Sequence, residues 1–406
     1  MGRAGVRRVT ALAIGALAFA LLACGDNLEV AAPDAGFAEA SHASPPQVQA
    51  NGGPVLASPE IVPIFFAGDG DMQGQIESFL TALAPSSYWT TIASEYGVGA
   101  PTVMPSIVSN DAPPTTDDEL QEWLEAHLEP PIIVPPLAFS PYGWPRPNAN
   151  TVYVVFLPSG ITLTAGSEVS CVAFGGYHSE TTRSGIVYAL LPRCATNDAP
   201  IDELTPPTSH ELIEAATDPH PGTAPGYVGV DDADLVWDYT PGSEVGDMCE
   251  YVETAFQRLV GNYVVQRIWS NASAAAGHDP CVPVLASPYI AAAPALDNVM
   301  FDYGDGIATT RGVQISNGTS VTIELDLFSD APTADWAVGM DDVASVVQMQ
   351  PAELALSLDK TTGNNGDKLA LTIKRLKVGQ GGGSEFVVTS KVDGSVIALW
   401  WGLATN

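Results

Sequence analysis

The sequence predicts an α/β or α+β domain over residues 60–287, followed by an all-β sandwich over residues 288–406. In the first region, apolar runs typical of buried strands alternate with segments of helical periodicity. From about Pro288, short stretches alternate apolar and polar residues and are separated by turn-rich clusters. The change of pattern therefore predicts two domains of different class.

The first domain opens with an apolar run at 61–66, which is typical of a buried strand. Helical spacing predicts helices near 73–83, near 86–96 and from Thr116, where Thr116-x-x-Glu119 forms a capping box. The other strands predicted in this domain lie at 151–157, 170–174, 186–191 and 263–269. The strands predicted in the second domain lie at 321–327, 369–376, 386–389 and near 396–401.

The N-terminus predicts export. Residues 1–23 combine three arginines with an apolar run too short to span a bilayer, which is typical of a signal peptide. The run ends in Leu21-Leu22-Ala23-Cys24-Gly25, which resembles a bacterial lipobox and implies a lipid anchor on Cys24. Gly25 then favours the outer membrane or cell surface, and an ordinary secretory signal is the alternative. Residues 24–59, rich in Ala, Pro, Ser and Gly, predict a flexible tether.

The net charge disfavours some classes of binding partner, and the cysteine count predicts disulfides. A net charge of −32 disfavours nucleic acid and anionic lipid headgroups, and no segment after the signal is apolar for long enough to form a transmembrane helix. Four cysteines remain when Cys24 is assigned to lipid, and an even number in an exported protein predicts two disulfides. Four cysteines allow three pairings. Proximity in sequence favours the pairs Cys171–Cys194 and Cys249–Cys281.

Residues 209–219 carry the strongest chemical pattern. At about 100° per residue on a helix, His210, Glu214, Asp218 and Glu211 share one face. A His-Glu pair with a further ligand one turn later presents metal ligands together with a general base. The helix face therefore predicts a metal site, with Glu214 as the second ligand.

The alternative is a short surface helix without a site. Thr208-x-x-Glu211 is itself a capping box, which gives Glu211 a structural role. Pro206 and Pro207 also predict that the helix begins close to His210.

Two neighbouring segments favour the site. Glu244 and Asp247 precede Cys249, and His178 follows a predicted strand that contains Cys171. Loops fixed by disulfides are where an exported fold positions ligands.

Three segments together resemble a known family. Gly176-Tyr177-His178, then Ser209-His210-Glu211-x-x-Glu214-Ala215-x-Thr217-Asp218-Pro219, then Glu244-Val245-Gly246-Asp247-x-Cys249 are similar to the plant phosphate-induced, or EXORDIUM-like, secreted proteins and their bacterial relatives. The resemblance covers about residues 60–284. It implies a zincin-like first domain with a His-Glu-x-x-Glu pattern, and it supports a fold and a site better than a reaction.

If this site binds zinc, His210 and Glu214 are its first two ligands. Glu244 is the expected third, with Asp247 or His178 as substitutes. Glu211 is expected to activate water for attack on a peptide bond, and His178 to orient substrate or stabilise the oxyanion. Asp218 is expected beside the ligands rather than on the ion. A carboxylate in place of the second imidazole also favours calcium, which is the alternative cofactor.

These residues predict a metallopeptidase-like lipoprotein that acts on a peptide or a cell-wall substrate. The alternative is a non-catalytic surface module in which the same residues form a structural or calcium site and the surface binds wall polysaccharide or a protein. A glycoside hydrolase is a weaker third hypothesis, because Glu211 and Glu214 on one helix do not flank a substrate.

Overall fold

The computed structural model describes residues 37–68, 70–128, 140, 142–194, 200–239, 241–302, 306–379 and 382–406. The predicted signal peptide, Cys24 and the start of the predicted tether lie outside these residues. Within them the chain is mixed α/β with extensive β-sheet, as the sequence predicts at this level. None of the helices in the described ranges is long and apolar enough to span a membrane.

The elements of the first region, up to residue 287, alternate helices and strands. They are β1 Glu60–Phe66, α1 Gly70–Leu83, α2 Ser87–Ala93, β2 Thr102–Val103, β3 Ile107–Ser109, α3 Asp117–Leu128, β4 Thr151–Phe156, β5 Thr164–Ala165, β6 Glu168–Val169, β7 Tyr177–Glu180, β8 Val187–Leu191, α4 Pro200–Thr217, α5 Val236–Tyr239, α6 Asp247–Glu250, β9 Phe256–Val260, β10 Tyr263–Gln266, β11 Ile268–Trp269, α7 Asn271–Ala275 and β12 Cys281–Val282.

A six-stranded sheet forms the centre of this region, in the order β2-β1-β4-β8-β7, with β3 also paired to β1. All its pairings are parallel except β7 with β8. The strands β1, β4 and β8 are buried along nearly their whole length, because helices cover both faces of the sheet. Burial on both faces is the reason why these three strands contain uninterrupted apolar runs in the sequence.

Alternation along the strands divides the core in two. Phe65 and Val154 pack with α1, α2 and α4 on one face, whereas Ile64 and Val155 pack with α3 on the other. In the antiparallel pair β7–β8, His178 lies opposite Ala189, which belongs to the face that α4 covers. The pleat therefore directs His178 toward α4.

The second region is mainly β, as predicted. Its elements are β13 Ile290–Pro294, β14 Asp297–Asp302, β15 Ile307–Gln314, β16 Ser320–Ser329, β17 Trp336–Asp342, α8 Val343–Val346, β18 Leu354–Leu358, β19 Thr362–Gly363, β20 Lys368–Arg375, β21 Ser384–Val392 and β22 Ser395–Thr405. They form one sheet in the order β13-β16-β20-β18 and a second in the order β14-β15-β22-β21-β17-β19. All pairings are antiparallel except β15 with β22.

The apolar cluster on the α4 side of the central sheet extends into the second region. Trp237 of α5 packs edge-on against Trp400 of β22, and Tyr251 packs in the same way against Trp401. Buried side chains of both regions belong to a single cluster. The sequence pattern separates the two classes of structure but does not reveal that they pack together.

Residues 37–59 differ from the predicted flexible tether. Val48 and Leu56 are buried, and the Gln49 amide donates to the carbonyl of Gly229 at 2.8 Å. The His42 ring stacks on Phe328 of the second region at 3.5 Å. A few buried apolar residues hold this segment against the rest of the protein. They are spaced too widely to form a periodic pattern, so composition alone does not predict that the segment is packed.

Two other local predictions are wrong. Residues 170–174 form a turn with one isolated bridge between Ser170 and Phe174, because Cys171 adopts a left-handed φ of 63° that a strand does not permit. Helix α4 begins at Pro200, well before His210.

Both favoured disulfides are present. Cys171 bonds to Cys194, and Cys249 bonds to Cys281. The second bond ties α6 to β12 and so fixes the short helix that carries Asp247.

Candidate metal centre

Helix α4 holds the predicted motif in its interior and not at its start. Pro206 and Pro207 both lie inside the helix, so the prediction that they fix its beginning next to His210 is wrong. Each proline removes an amide from the helical hydrogen-bond ladder. Packing of Leu212 and Ala216 into the sheet core offsets this loss and carries the helix through the two prolines.

The capping box predicted at Thr208-x-x-Glu211 does not form. The Thr208 hydroxyl donates to the carbonyl of Leu204 at 2.7 Å, as a residue within a helix does. Glu211 is only 6% exposed. The helix face is therefore interior, which removes the main argument for a short surface helix.

One set of three donor atoms comes from His210, Glu214 and Asp247. His210 Nε2 lies 3.0 Å from Glu214 Oε2 and 3.5 Å from Asp247 Oδ1. The three donor atoms lie within 4.8 Å of one another. For bonds of about 2.0–2.1 Å, two ligands of a tetrahedral ion lie about 3.3–3.4 Å apart, so these separations fit a small divalent cation.

Gln266 at the end of β10 orients the imidazole of His210. Its Oε1 lies 3.1 Å from His210 Nδ1, and its Nε2 donates to the carbonyl of Gly246 at 2.7 Å. With Nδ1 donating to Gln266, the lone pair of His210 is on Nε2, which faces Glu214 and Asp247. A ligating histidine is commonly held in this way by a second hydrogen bond.

Gly246 allows the loop before α6 to approach α4 closely. Its amide donates to Glu214 Oε1 at 2.9 Å, and the amide of Asp247 donates to the same oxygen at 3.2 Å. A Cβ at Gly246 would lie 2.7 Å from both Glu214 Oε1 and His210 Nδ1. Only glycine fits there, and the two amides hold Glu214 so that Oε2 faces the histidines.

His178 brings a second set of donor atoms to the other side of Glu214. Its Nδ1 lies 3.5 Å from Glu211 Oε2 and 3.6 Å from Glu214 Oε2, and these three donor atoms also lie within 4.8 Å of one another. Its Nε2 lies 3.1 Å from the carbonyl of Asp218 and 3.7 Å from Glu244 Oε1. Glu214 is thus shared by both sets.

The cluster is strongly acidic. Six carboxyl groups surround the two imidazoles, and in the described residues none of the six forms an ion pair with lysine or arginine. The six are Glu211, Glu214, Asp218, Glu244, Asp247 and Glu250. Buried carboxylates in such an excess are stable only when protons or cations compensate them.

The pKa values of the cluster show this imbalance. Burial disfavours the imidazolium of His178, but the carboxylates of Glu244, Glu211 and Glu214 outweigh it and raise the pKa of His178 to about 10. The pKa of His210 is also well above its ordinary value, since Glu214 and Asp247 outweigh burial. Burial raises the pKa of Asp247 to about 6. The chain's own groups thus favour positive charge at this point.

Two carboxyl oxygens in the cluster have no hydrogen-bond partner among the described residues. They are Oδ2 of Asp218, a residue with 0% exposure, and Oε2 of Glu250. The other oxygen of Asp218 accepts from the amide of Gly226 at 2.7 Å, which fixes the side chain. Burial raises the pKa of Glu250 to about 7. Each unpartnered oxygen is costly to bury, and each can accept a proton donor or contact a cation.

The predicted site residues divide between the surroundings of His210 and those of His178. His210 and Glu214 lie together, and the donor nearest to them is Asp247 rather than Glu244, the expected third ligand. Glu244 instead lies against His178. Asp218 lies beside the ligands, with its backbone carbonyl on His178. Glu211 and Glu214 both approach His178 Nδ1, so they converge on one point rather than flank a substrate.

Sequence reasoning missed Gln266, Gly246 and Glu250. Gln266 lies far along the chain and in no motif, whereas Gly246 lies in a segment that carries the resemblance but was given no role of its own. A second polar cluster was also missed, in which Glu180 Oε2 lies 2.6 Å from His220 Nδ1 and Glu180 Oε1 accepts from Thr223 at 2.8 Å. Its groups are mutually satisfied, which is typical of a structural contact.

Comparisons with known proteins assign no role to this centre. No protein-family model and no curated protein matches the chain. A conjugative transposon lipoprotein from Bacteroides eggerthii has a TM-score of 0.19 at 12% identity, over 29% of this chain and 97% of that one. A Bacteroides ovatus GH5 xyloglucanase in complex with a XXXG heptasaccharide has a TM-score of 0.15 at 12% identity, over 23% and 17%. Wild-type OgpA from Akkermansia muciniphila has a TM-score of 0.25 at 12% identity, over 87% and 95%. Scores this low establish no common fold and carry no argument about function.

Proposed function

We propose that this protein is an exported, metal-dependent hydrolase of the metallopeptidase type, with a zincin-like first region. The observation that carries the proposal is the convergence of His210, Glu214 and Asp247, whose donor atoms lie within 4.8 Å of one another. Imidazole with two carboxylates is a donor set that zinc accepts. The separations of 3.0 and 3.5 Å at His210 Nε2 lie on either side of the value of about 3.3–3.4 Å for two ligands of a tetrahedral ion.

The other residues of the cluster supply what hydrolysis requires. Zinc bound there supplies a Lewis acid that polarises a carbonyl. Glu211, one helical residue after His210, is the carboxylate placed to accept a proton from the attacking water. His178, 3.5 Å from Glu211 Oε2, is placed to donate a hydrogen bond to a developing oxyanion. Gln266 and the amides of Gly246 and Asp247 hold the ligands in position.

Export and anchoring belong to the same proposal. Two disulfides are typical of a protein that matures in an oxidising compartment. Together with the lipobox-like sequence around Cys24, they support a lipoprotein of the outer membrane or cell surface. A peptide, or a cell-wall polymer that contains peptide, is the substrate that such a site would meet there.

A second candidate is a non-catalytic surface module with a structural zinc or calcium site. Burial favours it, because the side chains of His178 and Glu214 are each only 3% exposed. The most open donor is Glu244, whose side chain is 20% exposed. Carboxylate oxygens outnumber imidazole nitrogens in the cluster, which suits calcium better than a three-histidine site does.

Metal analysis tests the proposal directly. The full chain is loaded with zinc, desalted and measured by inductively coupled plasma mass spectrometry, alongside His210→Ala and the control His220→Ala. The control removes a histidine from the separate Glu180 cluster. Stoichiometric zinc in the wild type and the control, and its loss from the His210 site in His210→Ala, are expected. Absence of bound zinc from the wild type would refute the proposal.

Glu211→Gln separates the two candidates. The hydrolase predicts that the ion at His210 is retained while cleavage of a mixed peptide library, read by mass spectrometry, falls by about 100-fold or more. A non-catalytic module predicts no cleavage by the wild type, whereas the bound ion still raises the melting temperature of both the wild type and Glu211→Gln. Equal cleavage by the wild type and Glu211→Gln would contradict the assigned role of Glu211.

A further inference from the structure

We propose that the centre holds two divalent cations, with the second bound by His178, Glu211 and Glu214, and with Glu214 bridging the pair. This rests on the proposed function, since the first ion is the one assigned to His210, Glu214 and Asp247. A second site of this kind makes the centre a two-metal hydrolytic site.

The donor atoms support two ions because they fall into two sets of three. Each set lies within 4.8 Å, and Glu214 is the one residue common to both. Glu214 Oε2 lies 3.0 Å from His210 Nε2 and 3.6 Å from His178 Nδ1. The two imidazoles thus approach the same carboxylate oxygen, one in each set, as expected for a carboxylate that bridges two ions.

The second set has dimensions similar to those of the first. His178 Nδ1 lies 3.5 Å from Glu211 Oε2, which equals the separation of His210 Nε2 and Asp247 Oδ1. The opposite ring nitrogen of His178 lies 3.1 Å from the carbonyl of Asp218. A proton on Nε2 donates to that carbonyl and leaves the lone pair on Nδ1, so His178 is oriented as a ligand just as Gln266 orients His210.

Charge supports the second ion independently. When both imidazoles act as neutral ligands, six carboxylates remain, and one divalent cation balances only about two of them. A second divalent cation lowers the remaining excess of negative charge by the same amount. No lysine or arginine of the described residues pairs with these carboxylates, so cations and protons are the groups that can compensate them.

Asp218 provides a further observation on the side of the second site. It is 0% exposed, its Oδ2 has no hydrogen-bond partner, and its carboxyl contacts Glu244. Glu244 Oε1 is in turn 3.7 Å from His178 Nε2. Two carboxyls thus meet beside the second set without a counter-charge of their own, in addition to the three donors that define the set.

Two ions change the role of Glu211. It becomes a ligand of the second ion, as does His178, which then no longer donates to the oxyanion, and Glu244 becomes the carboxylate free to accept a proton from water. Glu244 is suited to this because its side chain is 20% exposed, whereas that of Glu211 is 8% exposed. Glu244→Gln is then expected to keep both ions and lose cleavage.

Zinc content of the full chain tests the two-ion centre. After loading and desalting, the wild type and His220→Ala are expected to hold about two zinc ions, His178→Ala and His210→Ala about one each, and Glu214→Gln close to none. Far-ultraviolet circular dichroism confirms that each variant is folded. A cobalt titration of the wild type, followed by visible absorption, gives a second measurement that needs no variant and is expected to break near two equivalents.

The outcomes separate this inference from the proposed function. One ion in the wild type, kept by His178→Ala and lost by His210→Ala, overturns the second site and leaves the hydrolase proposal standing. One ion lost in both variants overturns it as well, because a single ion would then be shared by both histidines. No bound ion overturns both proposals.

Discussion

Replacing Gly246 by alanine is expected to disrupt the centre without altering the fold. The backbone at Gly246 has φ −79° and ψ −45°, which any residue can adopt. The whole effect of the substitution therefore comes from the added methyl group. That group would lie 2.7 Å from Glu214 Oε1, 2.7 Å from His210 Nδ1 and 2.8 Å from His210 Cε1.

The magnitude follows from these contacts. All three are shorter than a carbon atom tolerates, and all three are to Glu214 and His210, which tertiary hydrogen bonds hold in place, so the loop or these two side chains must shift. Overpacking of this kind costs about 1–3 kcal/mol of folding free energy. Displacing a group that orients a ligand lowers metal affinity by about 10–100-fold.

Two measurements check this prediction. Isothermal titration calorimetry with zinc gives the affinity, and thermal unfolding of the metal-free protein gives the stability. The matched control is Gly74→Ala in α1, where the added Cβ meets nothing within 4 Å. There alanine is expected to leave zinc affinity unchanged and to stabilise the helix by about 0.5–1 kcal/mol. If both variants bind zinc as the wild type does, Gly246 does not control the geometry of the centre.

Three further predictions test the supports of the site and the junction of the two regions. Gln266→Leu removes the partner of His210 Nδ1 and is expected to weaken zinc binding by about 10–100-fold in calorimetry; unchanged affinity would contradict the orienting role. Replacing Cys249 and Cys281 together by serine is expected to cost about 2–5 kcal/mol in thermal unfolding and to weaken zinc binding, since the bond fixes α6; an unaltered melting temperature would refute this. Burial raises the pKa of Asp234 to about 6, although Arg311 acts to lower it. The folded state therefore binds the proton of Asp234 more tightly than the unfolded state does. As a result, the contribution of Asp234 to stability falls as pH rises from about 4 to about 6. Asp234→Asn removes that dependence, so its stability relative to the wild type is expected to rise over this interval by about 1–3 kcal/mol in urea unfolding, and a constant difference would contradict the pKa shift.

The sequence predicts those parts of the fold that depend on local pattern. The run at 61–66 and the run at 151–157 are strands because a sheet covered on both faces requires uninterrupted apolar residues. The shared face of His210, Glu211, Glu214 and Asp218 follows from helical geometry alone, and all four side chains lie in the interior. Local spacing was sufficient in each case, since each pattern repeats within a few residues.

The sequence did not decide whether Glu244 or Asp247 lies nearer to His210. Glu244 and Asp247 are three residues apart, and only the turn into α6 brings Asp247 to His210 and Glu244 to His178. Gln266 and Gly246 reach the centre from β10 and from the loop before α6, and no local pattern indicates that either contacts His210 or Glu214.

The sequence by itself determined the periodic elements, the class of each region and the shared polar face of α4, because those features arise from contacts between near neighbours in the chain. Tertiary structure alone decided the start of α4 at Pro200, the packing of residues 37–59, the shared core of the two regions and the donor sets around Glu214. These features depend on the free energy of contacts between distant segments, which outweighs local preferences such as the helix-breaking tendency of Pro206 and Pro207.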